Sequence, residues 1–285
     1  MLISLRLSLR IPLGCFILVT SFCSQLSSGL SADETTESAA RDNVAKDLLR
    51  THIGSFKVAS SNDGKSTDFK IAPDALLSYT DPARNYLAGG LWKIGESGRP
   101  KGLIAIELWP DNNDPLLGTI HEELNSFAIG GMELRNRTST IWNPSETTLT
   151  LLPLTESSQP APTAERRLLQ MKTLARKFAV TEIYRGDSSV LRMLPRQIDR
   201  YEDTAEQIQD AAMFAFVSGT NPELIVIVEC CGNRWQYGLT RLSWAELRVE
   251  FDGKEVRRFD EMTTAGPNDA YTSHRESVSL PVVKN

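Results

Sequence analysis

The sequence predicts an α+β, strand-rich chain: two duplicated antiparallel β-meanders with a helix at about 163–180 between them. Three observations carry this. Short apolar runs bounded by Gly, Pro and Asn turns recur over 68–155 and again over 190–259. One segment, 163–180, has its apolar residues at helical spacing. Two stretches align without a gap at a constant separation of 122 residues, as from Tyr79 to Tyr201. The bulk figures agree with a folded protein. The 285 residues are 41% hydrophobic and 24% charged, which excludes a disordered or fibrous chain. The net charge of −5, from 31 Lys+Arg against 36 Asp+Glu, supplies no basic surface for nucleic acid.

Residues 1–32 read as a signal peptide. Arg6 and Arg10 precede an apolar run from Ile11 to Phe22, and small residues follow from Ser24 to Ala32. The run is about half the ~20 residues of a spanning helix. Phe22 before Cys23 is too bulky for a lipoprotein signal. Cleavage removes two Arg, Cys15 and Cys23, and leaves only the adjacent Cys230 and Cys231. The expected location is extracytoplasmic, periplasmic or secreted, with no membrane span after cleavage.

An N-terminal segment, 33–66, starts as a disordered stretch (Asp33 to Ala40). It continues as a short helix over 41–50, where Val44, Ala45, Leu48 and Leu49 share one face, and a turn within 57–66. The first meander occupies 67–155. Leu91-Trp92-Lys93-Ile94 alternates, Gly95 to Pro100 turns the chain, and Leu103-Ile104-Ala105-Ile106 returns. A further pair lies around 122–134 and 139–142. Alternation buries Trp92 and turns Lys93 to solvent.

Linker and helix follow at 156–183. Thr163 sits at the N-cap and Glu165 in the first turn. Leu168, Met171, Leu174, Ala175 and Phe178 form the apolar face, and Arg166, Arg167, Lys172, Arg176 and Lys177 a solvated one. The second meander, 184–262, ends on an Asp252-Gly253 hairpin turn. The tail, 263–285, reads as loosely held.

The internal repeat rests on five identities over 29 positions: Tyr79, Asp81, Ala83, Pro100 and Glu107 fall on Tyr201, Asp203, Ala205, Pro222 and Glu229. Trp92 and Ile94 fall on Phe214 and Phe216.

The chemistry-bearing patterns are mostly exclusions. His121-Glu122-Glu123 opens like the zinc-protease helix motif but lacks the second histidine. No nucleophile elbow and no phosphate-cradling glycine loop occurs. Asp111 to Asp114 lacks the central Gly and distal Glu of a calcium loop. His52, His121 and His274 are scattered along the chain, so no metal and no cofactor is expected. Glu107 and Glu229 each end an apolar strand at equivalent places, so carboxylates paired for acid–base work are one reading. Pairing with Arg135 or Arg248 is the other. With Glu122 and Asp81 they are the candidates if the chain is an enzyme. Cys230 and Cys231, on alternate strand faces, read as packing residues.

Several segments together resemble a family of exported planctomycete proteins: Leu191-Arg192-Met193-Leu194-Pro195, Arg200-Tyr201, the run Ala211 to Val217, Gly219-Thr220-Asn221-Pro222-Glu223 and Glu229. Trp92 with Gly98-Arg99-Pro100, His121-Glu122 and Arg167-Leu168-Leu169-Gln170-Met171 fit it too. The likeness spans about 45–260. Asn221 stands where that family has Asp, and Cys230-Cys231 replaces a small–basic pair. The family has no assigned function, so the resemblance implies none. The expected function is a non-enzymatic extracytoplasmic module that binds a protein or small ligand. The alternative is a carboxylate-dependent hydrolase of cell-surface material.

Overall fold

A computed structural model describes residues 32–60, 66–81, 84–137, 139–155 and 157–280, with side chains of the N-terminal helix from Asn43 onward. The segment read as a signal peptide (Ala32 aside) and the tip of the 57–66 turn lie outside the described residues.

Helix α1 (Ala32–Ile53) leads into β1 (Lys57–Ser60), β2 (Asp68–Phe69), β3 (Leu77–Asp81), β4 (Tyr86–Ile94), β5 (Gly102–Pro110), β6 (Leu117–Ser126), β7 (Met132–Arg135), β8 (Thr140–Trp142) and β9 (Leu151–Pro153). Helix α2 (Ala164–Ala175) then leads into β10 (Phe178–Tyr184), β11 (Asp187–Val190), β12 (Arg192–Met193), β13 (Asp199–Asp203) and β14 (Ile208–Ser218). The chain closes with β15 (Asn221–Cys231), β16 (Arg234–Arg241), β17 (Glu246–Phe251), β18 (Lys254–Phe259) and β19 (Tyr271–Ser279).

The chain is strand-rich and antiparallel, as expected, but its strands form four sheets rather than two meanders. The first outer sheet runs β2-β1-β7-β8 and the first inner sheet β19-β6-β5-β4-β3. The second inner sheet runs β12-β14-β15-β16-β9, with β13 also on β14, and the second outer sheet β11-β10-β17-β18. The sheets stack like blades. One apolar cluster joins α1 and the first outer sheet to the first inner sheet through Leu49, Trp92, Ile104, Leu134 and Trp142. A second lies between the inner sheets, with Leu91, Leu103, Tyr201, Met213 and Ile227. A third joins the second inner sheet to α2 and the second outer sheet through Met171, Phe214, Val226 and Leu247. Both faces of each inner sheet are therefore covered, which is why Ala211 to Val217 and Leu224 to Val228 are unbroken apolar runs.

This covering corrects the place of Lys93. Trp92 is buried against α1, but Lys93 on the opposite face meets the second inner sheet instead of water, and its Nζ lies 2.7 Å from Asp199. Phe214 is fully buried.

Two of the other differences, in the tail and in β9, share one cause: edge strands pair with partners remote in sequence. The tail is not loose, because β19 pairs with β6 over nine registers, Tyr271↔Asn125 to Ser279↔Leu117. The end of the first meander, β9, crosses to β16. Phe178 lies in β10, beyond α2, because the helix stops at Ala175 and Phe178 pairs with Phe251. Asp33 to Ala40 belongs to α1 rather than to a disordered start. Thr163 is the N-cap, accepting from the Arg166 N–H. Arg167 leaves the solvated face to meet Asp210 at 3.0 Å. Asp252 and Gly253, both at positive φ, make the β17–β18 turn.

Candidate functional site

Two rows of side chains cross the inner sheets at matching places. In the first inner sheet the register sets Tyr79 beside Gly89, Gly89 beside Glu107, Glu107 beside His121 and His121 beside Arg275. In the second it sets Tyr201 beside Ala211, Ala211 beside Glu229, Glu229 beside Gln236 and Gln236 beside Pro153. In each row the tyrosine hydroxyl donates to the glutamate, Tyr79 at 3.4 Å and Tyr201 at 2.7 Å.

The second row is closed. Arg99, from the β4–β5 turn, grips both Glu229 oxygens at 2.8 Å, and the Gln236 amide donates at 2.6 Å. Glu229 is fully buried with its acceptors used. Burial and the Glu229 charge raise the Tyr201 hydroxyl pKa well above its ordinary value.

The first row opens into a cavity of about 680 Å³ lined by Glu107, His121, Glu123, Glu182, Glu223 and Arg84, with Tyr86, Trp109, Tyr184 and Trp244. His121 Nδ1 lies 3.5 Å from Glu107 Oε2. The first residue of β15, 122 positions after Arg99, is Asn221, not an arginine, and its amide donates to Glu223 at 3.2 Å. Arg84 Nη1 donates to Glu223 at 2.7 Å. Burial, then repulsion from Glu182, outweighs Arg84 and raises the Glu223 carboxyl to about 7. Burial, then the charges of Glu107 and Glu223, raises the Glu123 carboxyl well above its ordinary value, although Tyr271 donates to it at 3.1 Å. Trp109 Nε1, Trp244 Nε1 and His121 Nδ1 are buried without a hydrogen-bond partner, three of eight such side-chain atoms among the described residues. A buried N–H left without a partner costs about 1–3 kcal/mol.

The four candidate carboxylates thus part company. Glu107 lines the cavity and Glu229 is sealed by Arg99 rather than facing it. Neither pairs with Arg135, which meets Glu133, or with Arg248, which meets Glu246. Asp81 lies at the cavity's flank, accepting from the Arg84 N–H at 3.2 Å. Glu122 points to the opposite face, toward α1, with His52 Nε2 at 2.5 Å and His274 Nδ1 at 3.3 Å. The histidines are therefore not all scattered: α1 and β19 bring two of them to one carboxylate. Burial would raise the Glu122 carboxyl, but the facing His274 and His52 imidazoles outweigh it and hold it below its ordinary value.

Sequence reasoning missed Glu123, Glu182, Glu223 and Arg84. Parity was the available signal: Glu123 lies two residues from His121, on the face that Glu107 shares. Cys230 and Cys231 are free thiols, the first buried and the second half-buried, as alternation requires. Burial, then the Glu229 charge, pushes the Cys231 thiol up to about 11.

No protein-family model, curated protein or solved structure matches the chain. No helix among the described residues is long and apolar enough to cross a membrane.

Proposed function

We propose that the chain is an exported, non-enzymatic binding module, grown from two copies of one helix-and-strand unit, that holds a small polar ligand in the cavity beside Glu107. The ligand carries amine or hydroxyl groups, because the cavity presents carboxylate acceptors between aromatic walls. The single observation that carries the reading is the cavity itself, which gathers the carboxylates of Glu107, Glu123, Glu182 and Glu223 between the side chains of Trp109, Tyr184 and Trp244. Polar groups converging between aromatic walls are the usual make-up of a small-ligand site. Tyr86 and Trp109 pack at 4.6 Å between ring centroids with their planes tilted by 55°, an aromatic wall beside the acids. Export is read from the order of residues in 1–32, and the likeness to exported planctomycete proteins is in keeping with it.

Duplication is supported by the two rows. Tyr79, Gly89 and Glu107 match Tyr201, Ala211 and Glu229 at one constant separation, and the sheet registers repeat with them. The strand closing each unit pairs with the other unit's inner sheet, β9 on β16 and β19 on β6. That exchange ties the halves together.

The hydrolase reading keeps one observation: Glu107 and Glu223 share the cavity, and Glu223 sits near the pKa of a general acid. A thermal-shift panel of amines, amino sugars and neutral sugars separates the two. The binding reading predicts a raised Tm that Glu107→Gln and Trp244→Ala abolish, with the ligand recovered unchanged. Cleavage of a glycan, lost in Glu107→Gln and Glu223→Gln, supports the hydrolase instead. No shift with any class overturns the cavity as a site.

A further inference from the structure

We infer that His52, Glu122 and Glu276 form a divalent metal site of the zinc class, with His274 positioning Glu122. The three come from separate elements. His52 ends α1, Glu122 lies in β6 and Glu276 in β19, where the register puts Glu276 beside Ile120 and His274 beside Glu122. Their donor atoms lie within 4.8 Å of one another. Zinc binds imidazole and carboxylate at about 2.0–2.2 Å, so its donors stand roughly 3–4 Å apart, and small movements of side-chain ends close the set.

The state of Glu122 is the independent observation. Its side chain is fully buried, and its described charged partners are two imidazoles with no lysine or arginine. Its Oε2 and the facing His274 Nδ1 are buried at 3.3 Å, yet neither makes a hydrogen bond. A buried carboxylate compensated only by histidines, with an idle lone pair, is a donor set more than a structural ion pair. The other side of the cluster is open: a cavity of about 760 Å³ runs past His52, Thr51, Glu276 and Val278. Three protein ligands and a solvent-facing position match the open pattern of zinc coordination. On binding, the ion replaces the proton between His52 Nε2 and Glu122 Oε1, and that proton leaves to solvent.

Zinc titration of the full chain, purified without an affinity tag and stripped with chelator, tests this. The expected result is one equivalent bound per chain, with a raised Tm. His52→Ala and Glu276→Gln each weaken binding at least tenfold, His274→Asn weakens it by about tenfold, and Glu255→Gln on the far outer sheet has no effect. Glu276 is exposed, so its variant folds and keeps the test decisive. No saturable binding overturns the site. So does binding indifferent to His52→Ala and Glu276→Gln, as capture by the Cys230–Cys231 thiols would give.

Discussion

The rows through Glu107 and Glu229 have the same backbone and opposite fates. Both place a tyrosine hydroxyl over a buried glutamate in the second half of an apolar strand. In one, Arg99 and Gln236 consume the carboxylate and leave no room for anything else. In the other, Asn221 at the start of β15 stands in place of the arginine, His121 replaces the glutamine, and Glu123 and Glu223 add acid to a cavity. A buried glutamate is not by itself a functional group. The residue that the facing turn sends to it decides whether it is structure or site.

The comparison can be broken at four places, taken from the largest expected effect. Trp92 and Phe214 hold matching places, 3% and 0% exposed, in the two outer cores. Ala at either costs about 3–5 kcal/mol in urea unfolding, and the two costs agree within about 1 kcal/mol. A large disparity undermines the equivalence of the halves.

Second is pH. The folded Glu223 carboxyl, near 7, holds its proton more tightly than the unfolded one, at about 4.3, so the stability it contributes is full below pH 4 and lost as pH rises through 7. Glu223→Gln mimics the protonated form. Its stability relative to wild type rises by roughly 3 kcal/mol from pH 4 to pH 8, at about 1.4 kcal/mol per tenfold change in proton affinity. Parallel pH profiles contradict the acidic cavity.

Third is Gly89. A Cβ there comes within 2.3 Å of the Tyr79 ring, whereas the matching Ala211 is tolerated. Gly89→Ala costs about 1–3 kcal/mol and displaces Tyr79, visible in its ring NMR shifts. Last, and smallest in the difference it reads between the rows, is the pair of hydroxyls. Tyr201→Phe, which loses a 2.7 Å bond to a buried carboxylate, costs about 1.5–3 kcal/mol, and Tyr79→Phe, which loses a 3.4 Å contact, under about 1. Equal costs erase the distinction between the rows.

Much of the architecture was legible because strands betray themselves locally. Asp252-Gly253, the Thr163 cap and the alternation around Trp92 all act within a few residues. The failures were long-range. Nothing near Lys93 says that the second inner sheet covers it, nothing in 263–285 announces the pairing with β6, and Arg99 meets Glu229 only across two sheets. The site was half visible for the same reason. Glu107 stood out as an acid closing an apolar strand. Glu223 and Glu182 reach the same cavity from β15 and β10, which only the stacking of sheets brings together.

The central claim, one row sealed and the other open, is tested most directly by comparing Arg99→Ala with Arg84→Ala in urea unfolding at pH 7. Arg99→Ala strands a fully buried Glu229 and is predicted to cost about 3–5 kcal/mol. Arg84→Ala leaves Glu223, which takes up a proton near this pH, and is predicted to cost about 1 kcal/mol. Equal losses, or a larger loss at Arg84, contradict the account.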